Sequence, residues 1–379
     1  MRGSRGHFAV MVIKITNQVG VICVCLASKK YCIADYRRTT TSVLSVDTLK
    51  KQGIAIIAAV AGLGVIGALV GYFGAGTVLR SLLAIGWRGF AVICVIHLAV
   101  IALEGIAWRL LVPGTRFSIF IWGRLVRDAG SEVLPISQMG GCVVGARAVV
   151  LGAVPGAVAA ASTMVDLTLE FLAKLAYMAL GLILLFHLRA DTPLGLPVTV
   201  GVTATGFFAV AFVLVQRHGF VVFDRFTRVL GRDWAERTAA GAAAVQAALA
   251  GIYRRDAGLW GGFQLHLACW VSSAVEVWIV LRLAGAPLGF LTVLVIESLL
   301  YAVRTVAFAI PNAVGVQEGA YVVIGAAFGL TPEMALAISL MKRARDLVIG
   351  LPVLALWQAI EGGRLWRRLA PLADRGGSR

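Results

Sequence analysis

The chain has 379 residues, of which 59% are hydrophobic and 14% are charged, and its mean hydropathy is +0.88. A soluble globular protein carries roughly a quarter of charged residues, so this composition excludes that class and predicts an integral membrane protein. The formal net charge is +16, but the basic residues flank the apolar segments, which indicates contact with anionic lipid headgroups and not nucleic-acid binding.

Residues 1–52 are rich in Lys, Arg, Ser and Thr and contain a short apolar run at 19–24. We interpret them as a basic N-terminal tail, which is either disordered or the product of an overextended gene start. Cys23 and Cys25 lack a second cysteine pair or a histidine at the spacing that zinc requires, so we expect no metal site in the tail.

Seven apolar segments follow that are long enough to cross a bilayer, since about 20 helical residues span the hydrocarbon core. They lie near 54–74, 89–112, 157–187, 196–216, 259–283, 289–310 and 334–360. Two shorter runs, at 133–152 and 319–330, are predicted to form half-helices. These segments predict an all-α polytopic membrane protein with about eight transmembrane helices.

The basic residues predict the orientation. They are concentrated before residue 53, at 217–256 and after residue 360, whereas the loops near 75–88, 188–196 and 284–288 carry few. Because basic loops stay in the cytoplasm, both termini are expected there and the number of crossings is even.

Two transmembrane halves are therefore expected, at 53–216 and 259–360. A cytoplasmic linker at 217–258 joins them, and a basic cytoplasmic tail follows at 361–379. The linker contains a predicted amphipathic helix near 235–253, which we expect at the membrane surface.

Each half contains one segment interrupted by proline and glycine, at 133–152 and at 310–331. A proline opens a glycine-containing turn before a short apolar helix, and a second proline precedes a long helix with charged residues. Such breaks at corresponding positions of two halves are typical of transport sites. The alternative is a chance recurrence in a chain with 43 glycines. The residues of these motifs that we assign to the site are Pro135, Gly140, Gly141, Arg147, Pro311, Gly315, Glu318 and Gly319.

Glu318 has two interpretations. It lies at the start of a short helix beginning near Gly319, where amide donors and the positive helix end stabilise a carboxylate or an anionic headgroup. It is therefore either an N-terminal cap or a site residue.

The last long helix carries a charged cluster: Lys342, Arg343, Arg345 and Asp346. Asp346 is expected to neutralise Lys342 or Arg343, which leaves about two positive charges for a phosphate or carboxylate headgroup. The fourteen largely apolar residues from 347 to 360 extend ~21 Å as a helix, so we expect the cluster inside the membrane. The alternative is a cytoplasmic anchor.

Asp166, Glu170 and Lys174 are spaced four residues apart and share one helix face. Glu170 is expected to pair with Lys174 and to leave Asp166 free. Both polar packing between helices and coupling of transport to protons through Asp166 or Glu170 are open interpretations.

Other charged residues carry the same ambiguity between packing and function. They are Glu104 with Arg109, Glu276 with Arg282, Glu297 with Arg304, and the group Arg127, Asp128 and Glu132, which lines a path or marks a cytoplasmic loop. The five histidines are scattered and no P-loop, dinucleotide fingerprint or nucleophile motif is present, so we expect no enzyme, no catalytic residue, no metal and no cofactor.

The runs Ile310–Ala320, Leu330–Ala335 and Lys342–Asp346 resemble the C-terminal signature of the flippase-like membrane family. That family shares its fold with the transmembrane region of lysylphosphatidylglycerol synthases, and the closest resemblance is to its hopanoid-associated subgroup. The resemblance implies a bacterial inner-membrane protein that moves or helps to export an amphipathic lipid. Cys142 stands where the family often has an acidic residue, which argues against a symmetric pair of acidic site residues.

Three functions are compatible with these features. The first is a transporter or flippase of hopanoid-like or related lipids, with membrane lipids, anionic headgroups at the cytoplasmic face and lipid-biosynthesis or export proteins as partners. The second is a membrane enzyme that modifies headgroups, although the nineteen residues after 360 leave no room for an aminoacyl-transferring domain. The third is a scaffold for lipid-synthesis enzymes that docks them through the 235–253 helix.

Overall fold

The computed structural model describes residues 10–16, 19–25, 64–133, 138–188, 232–307 and 310–373, together with scattered helical residues between 196 and 210. The chain divides into two compact units, residues 1–56 and 57–379. In the first unit, β1 (Val10–Thr16) and β2 (Val19–Cys25) form an antiparallel hairpin in which Val10 pairs with Cys25. The hairpin lies in the Val- and Ile-rich stretch of the predicted basic N-terminal tail.

All regular structure described in the second unit is helical. Its elements are α1 (Gly64–Phe73), α2 (Ala75–Leu110), α3 (Phe117–Val133), α4 (Gln138–Leu151), α5 (Gly156–Leu188), α6 (Arg232–Tyr253), α7 (Asp256–Leu283), α8 (Phe290–Val306), a 3-10 turn (Pro311–Ala313), α9 (Val316–Ala327) and α10 (Pro332–Ala373). Of these, α2, α5, α7 and α10 are long and apolar enough to cross a membrane. The predicted all-α polytopic membrane fold is therefore confirmed.

Two segments differ from the predicted helices. The stretch 75–88, predicted as a loop, is helical and belongs to α2, which is broken only where Gly86 adopts a φ of 65°. Helix α3 was not predicted as a helix, because its Arg, Asp and Glu residues lower the hydropathy of this stretch. Most of the predicted span at 196–216 lies outside the described residues.

Helices α2 to α5 and α7 to α10 repeat one arrangement. Helices α3 and α8 each have 17 residues and precede the broken segment, which leads into a short helix of 14 residues in α4 and 12 in α9. The turn that follows contains a residue with positive φ, Ala153 in one copy and Gly329 in the other. The long helices α5 and α10 complete the two copies, so the predicted pseudo-repeat is confirmed.

The packing of the helices follows the same repeat. Helix α2 packs against its counterpart α7, and the pair α3 and α10 has its counterpart in the pair α8 and α5. When the two halves are exchanged, the α3–α10 contact takes the place of the α8–α5 contact, and the α2–α7 contact takes its own place. The halves are therefore related by a pseudo-two-fold axis, an arrangement found in many transporters.

The core is apolar, and so is much of the outer surface. A large cluster around Tyr177, Leu299 and Tyr321 joins α5, α7, α8 and α9, and a second cluster around Trp108 includes Leu249 of the linker helix α6. Large apolar side chains such as those of Leu83 and Leu351 are exposed. A surface of this kind suits contact with lipid, and it leaves the charged residues to the interior between the helices.

Candidate functional site

A cavity of about 330 Å³ lies between the two halves. Its charged lining consists of five cations, Arg124, Arg127, Lys174, Arg304 and Arg345, and six carboxylates, Glu104, Asp128, Glu132, Glu170, Glu276 and Asp346. Ionisable groups inside a membrane protein are costly and persist where they pair with one another or face water. The pairing of these groups therefore decides what the cavity can bind.

The first network is centred on Arg124 and Arg127 of α3. Arg124 donates to both oxygens of Glu170 at 2.9 and 3.1 Å and to Asp128 at 2.9 Å. Arg127 donates to Asp166 at 2.9 Å and to Glu170 at 2.5 Å. Two guanidinium groups thus hold the carboxylates of α5 in fixed positions, because each offers several donors in a rigid plane.

Asp166 is completely buried and contacts the other half through His266 of α7. Its Oδ1 lies 3.0 Å from His266 Nε2, and since an ionised carboxylate only accepts hydrogen bonds, Nε2 is the donor. The opposite ring atom, Nδ1, is buried without a partner among the described residues. Asp166 is therefore paired, and our expectation that it would be free was wrong.

Lys174 also differs from the expectation. Glu170 was predicted to pair with it, but the two arginines occupy that carboxylate. The Lys174 ammonium lies over the ring of Trp270, 4.8 Å from its centroid, and makes no ion pair with a carboxylate in the described part of the chain. This cation on the cavity wall therefore has no directly contacting carboxylate within the described part of the chain.

The second network is formed by α7, α8 and α10. Arg345 donates to Glu276 and, through two nitrogens at 3.0 and 2.7 Å, to Asp346. Lys342 donates to Glu297 at 2.8 Å and to the hydroxyl of Tyr321 at 3.1 Å, and the same hydroxyl donates to Glu297. Each cation on this helix face has its own carboxylate.

Glu318 is fully buried and serves two roles at once. It accepts a hydrogen bond from the amide of Gly315 at 2.8 Å, which caps α9, and it pairs with Arg343 and accepts from Ser339. Lys342, Arg343 and Arg345 are thus all neutralised, and the two uncompensated positive charges predicted for this cluster are not there.

The second broken segment contacts the end of α3 at Asn312, which has a left-handed φ of 49°. Its amide donates to the carbonyl of Glu132 at 3.1 Å, and its side-chain oxygen accepts from Arg304 at 3.0 Å. Arg304 lies 3.8 Å from Glu132, whose Oε2 is buried without a hydrogen-bond partner among the described residues. At this junction a carboxylate oxygen of the cavity wall therefore has no hydrogen-bond donor among the described residues.

The other predicted site residues are divided between the cavity and the scaffold. Glu170, Arg345 and Asp346 line the cavity, whereas Asp166, Glu318, Lys342 and Arg343 do not. Arg147 lies elsewhere and pairs with Glu361 at 2.8 Å. Pro311 starts the 3-10 turn, Gly315 precedes α9, and Gly140 and Gly319 lie in the first turns of α4 and α9. Pro135 lies outside the described residues.

Gly141 has a packing role. A Cβ there would lie 2.5 Å from the carbonyl oxygen of Arg127 and 2.9 Å from the amide of Ser131. Only glycine therefore lets α4 approach the main chain of α3, and this approach fixes the helix that carries Arg127.

Arg124 and His266 were not predicted, although both belong to the first network. The signal for Arg124 was its spacing of four residues from Asp128, which suits an ion pair on one helix face. His266 stands in an apolar segment without a charged neighbour in sequence, so only the fold brings it to Asp166. Among the described residues no group of acidic, histidine or cysteine side chains could hold a metal ion.

Comparison with known proteins identifies one relationship. The family model described as the lysylphosphatidylglycerol synthase TM region matches residues 54–353. No curated protein and no solved structure matches the chain.

Proposed function

The chain belongs to the family of the lysylphosphatidylglycerol synthase transmembrane region, and from this premise we propose that it is a transporter that moves amphipathic lipids across or out of the membrane. The family connects the protein with lipid metabolism or transport in a membrane. The observation that carries the proposal is the charged cavity between the two halves.

The size of the cavity suits a lipid headgroup. At about 330 Å³ it is at the lower end of ligand pockets, and it would hold roughly ten waters at their liquid volume of about 30 Å³ each. A headgroup of a few polar atoms fits this volume, while acyl or polycyclic chains can remain against the apolar outer surface of the helices.

The distribution of ion pairs supports movement of one half against the other. Arg124, Lys342, Arg343 and Arg345 each pair with carboxylates of their own half. This holds each half together as a body.

Polar contacts also cross between the halves around the cavity. His266 contacts Asp166, Trp270 donates to the carbonyl of Glu170 at 3.2 Å, His97 lies 3.9 Å from Asp346, and Glu132 meets both Arg304 and Asn312. In alternating access one repeat rocks against the other around a central site, and these are the contacts that such a motion would have to exchange.

The remaining parts of the proposal concern cargo and location. Hopanoid-like or related lipids are the proposed cargo, which the protein moves without chemical change. The proposed location is the bacterial inner membrane with both termini in the cytoplasm, where anionic headgroups meet the basic flanks. Enzymes of lipid synthesis or export are the proposed protein partners.

Reconstitution tests the proposal. Purified full-length protein is placed in liposomes with a fluorescent headgroup-labelled lipid, and a membrane-impermeant reductant measures the fraction that reaches the outer leaflet. Movement well above that of protein-free liposomes supports transport. Unchanged lipid distribution with folded protein argues against it, and a new lipid product on chromatography assigns an enzyme instead.

A further inference from the structure

Lys174 and Arg304 are the least neutralised cations of the cavity. Arg124, Arg127 and Arg345 each have a carboxylate oxygen within 2.9 Å. In contrast, the nearest carboxylate of Arg304 is Glu132 at 3.8 Å, and among the described residues Lys174 lies over the face of Trp270 and forms no ion pair. Both side chains belong to the cavity lining.

These two cations also fall outside the common scaffold of the two halves. Arg304 is the fifteenth residue of α8, and the fifteenth residue of α3 is Ser131. Lys174 is the nineteenth residue of α5, and the nineteenth residue of α10 is Gly350. A Cβ at Gly350 would lie 2.5 Å from Val133, so that position serves helix packing. Each of these two charges is therefore present in one half and absent at the matching position of the other half. The ion pairs that the two halves share do not require them.

A cation without a close counter-ion inside a membrane protein is costly, and so is a buried carboxylate oxygen without a donor. The Oε2 atom of Glu132 is such an oxygen, and Glu132, Lys174 and Arg304 line the same cavity. A ligand that carries an anionic group and a hydrogen-bond donor satisfies all three. Phosphate suits the cations, since a guanidinium binds it through two N–H groups and an ammonium adds a point charge.

We infer that the cavity binds the phosphate of a headgroup between Lys174 and Arg304, and that Glu132 accepts a hydrogen bond from a hydroxyl or ammonium at the polar end of the same headgroup. This inference rests on the proposed function and, among the amphipathic lipids proposed there as cargo, selects phosphodiester lipids whose headgroup donates hydrogen bonds. It also moves the anion site from the Lys342 to Asp346 cluster, where every cation is paired, to Lys174 and Arg304 of the same cavity.

Binding to the purified, delipidated full-length protein tests the inference. The probes are dihexanoyl lipids with phosphoglycerol, phosphoethanolamine or phosphocholine headgroups, dihexanoylglycerol without phosphate, and inorganic phosphate. We expect the phosphoglycerol and phosphoethanolamine lipids to bind most tightly, phosphocholine more weakly because its headgroup has no N–H or O–H donor, and dihexanoylglycerol at least tenfold more weakly.

The variants separate this site from general folding effects. Lys174→Met and Arg304→Met should each weaken phospholipid binding at least tenfold. Lys174→Arg keeps the positive charge and should retain binding. Glu132→Ala should remove the preference for phosphoethanolamine over phosphocholine. Arg282→Met removes a cation that packs on Trp278 outside the cavity and should leave binding unchanged, and size-exclusion profiles check that each variant is folded.

Three results would overturn the inference. These are wild-type binding by the Lys174→Met, Arg304→Met double variant, equal binding of dihexanoylglycerol and the phospholipids, and binding of inorganic phosphate as tight as that of the lipid, which would assign a free-anion site.

Liposome transport by the same variants separates the two proposals. If the wild type moves lipid and the double variant moves it equally, the phosphate site is wrong and transport stands. If the wild type moves none but binding depends on Lys174, transport is wrong and the site stands.

Discussion

Asp166 and Lys342 occupy the same position in the two halves, the eleventh residue of α5 and of α10, and they carry opposite charges. Each contacts the eighth residue of the helix that precedes the broken segment. Arg124 lies 3.7 Å from Asp166, and Glu297 lies 2.8 Å from Lys342. One ion pair is therefore built twice with its polarity reversed, so a comparison of the two sequences by residue type does not match these positions.

The Glu297–Lys342 pair should stabilise the fold only while both partners are present. Lys342→Met leaves Glu297 buried with the hydroxyl of Tyr321 as its remaining donor, and we expect the free energy of unfolding to fall by about 3–5 kcal/mol. The double variant Lys342→Met, Glu297→Leu removes both charges and should recover most of that loss. Unfolding in a detergent titration measures both, and a double variant that is less stable than the single one would contradict this account.

Glu318 should prove to be a structural residue whose two roles can be separated. Glu318→Ala removes both the cap on Gly315 and the counter-ion of Arg343, and is expected to cost about 3–5 kcal/mol. Glu318→Gln can still cap α9, so it should retain about 1 kcal/mol more stability than the alanine variant. Equal stability of the two variants in the same titration would show that the cap contributes nothing.

Two glycines of the broken motifs should respond differently to the same substitution. Gly141→Ala forces α4 away from the main chain of α3 and should cost about 1–3 kcal/mol, the range for overpacking. Gly319→Ala meets no atom within 4 Å and should be neutral or stabilising by up to ~1 kcal/mol, because alanine favours the helix. Thermal midpoints in mild detergent compare the two, and a larger loss for Gly319→Ala would refute the packing argument.

The sequence predicted the membrane class, the repeat and most of the charged residues, because these depend on hydropathy and on the proline and glycine positions within each segment. It did not predict the partners. Helical spacing alone suggested Glu170 with Lys174, yet Glu170 pairs with Arg124 and Arg127 from α3. Contacts between helices distant in sequence require the packing of the two halves, which no local pattern contains. For the same reason the sequence did not predict the contact between His266 and Asp166, which are 100 residues apart in the chain.

Arg345 should be required for transport because it separates two carboxylates on the cavity wall. Arg345→Ala leaves Glu276 and Asp346 without their shared cation, and we expect lipid movement in liposomes to fall at least tenfold, or about 1.4 kcal/mol in free energy. Arg345→Lys keeps the charge but loses the guanidinium fork, so it should retain part of the activity. Arg282→Ala, which acts outside the cavity, is the matched control, and equal transport by Arg345→Ala and wild type would count against the cavity as the pathway.

The cavity should contain water, and Cys142 on its wall reports on this. A methanethiosulfonate reagent reacts with the thiolate, which forms only where water solvates the charge. In a variant that retains Cys142 as its single cysteine, we expect modification by a small, charged reagent in proteoliposomes. A single cysteine at Leu351→Cys, on the exposed apolar face of α10, faces lipid without water and should remain unmodified by the same reagent. If the charged reagent modifies neither position, the cavity is dry and the headgroup pathway through it is wrong; if it modifies Cys142 and a short-chain phosphoglycerol lipid slows the reaction, the headgroup occupies the same space.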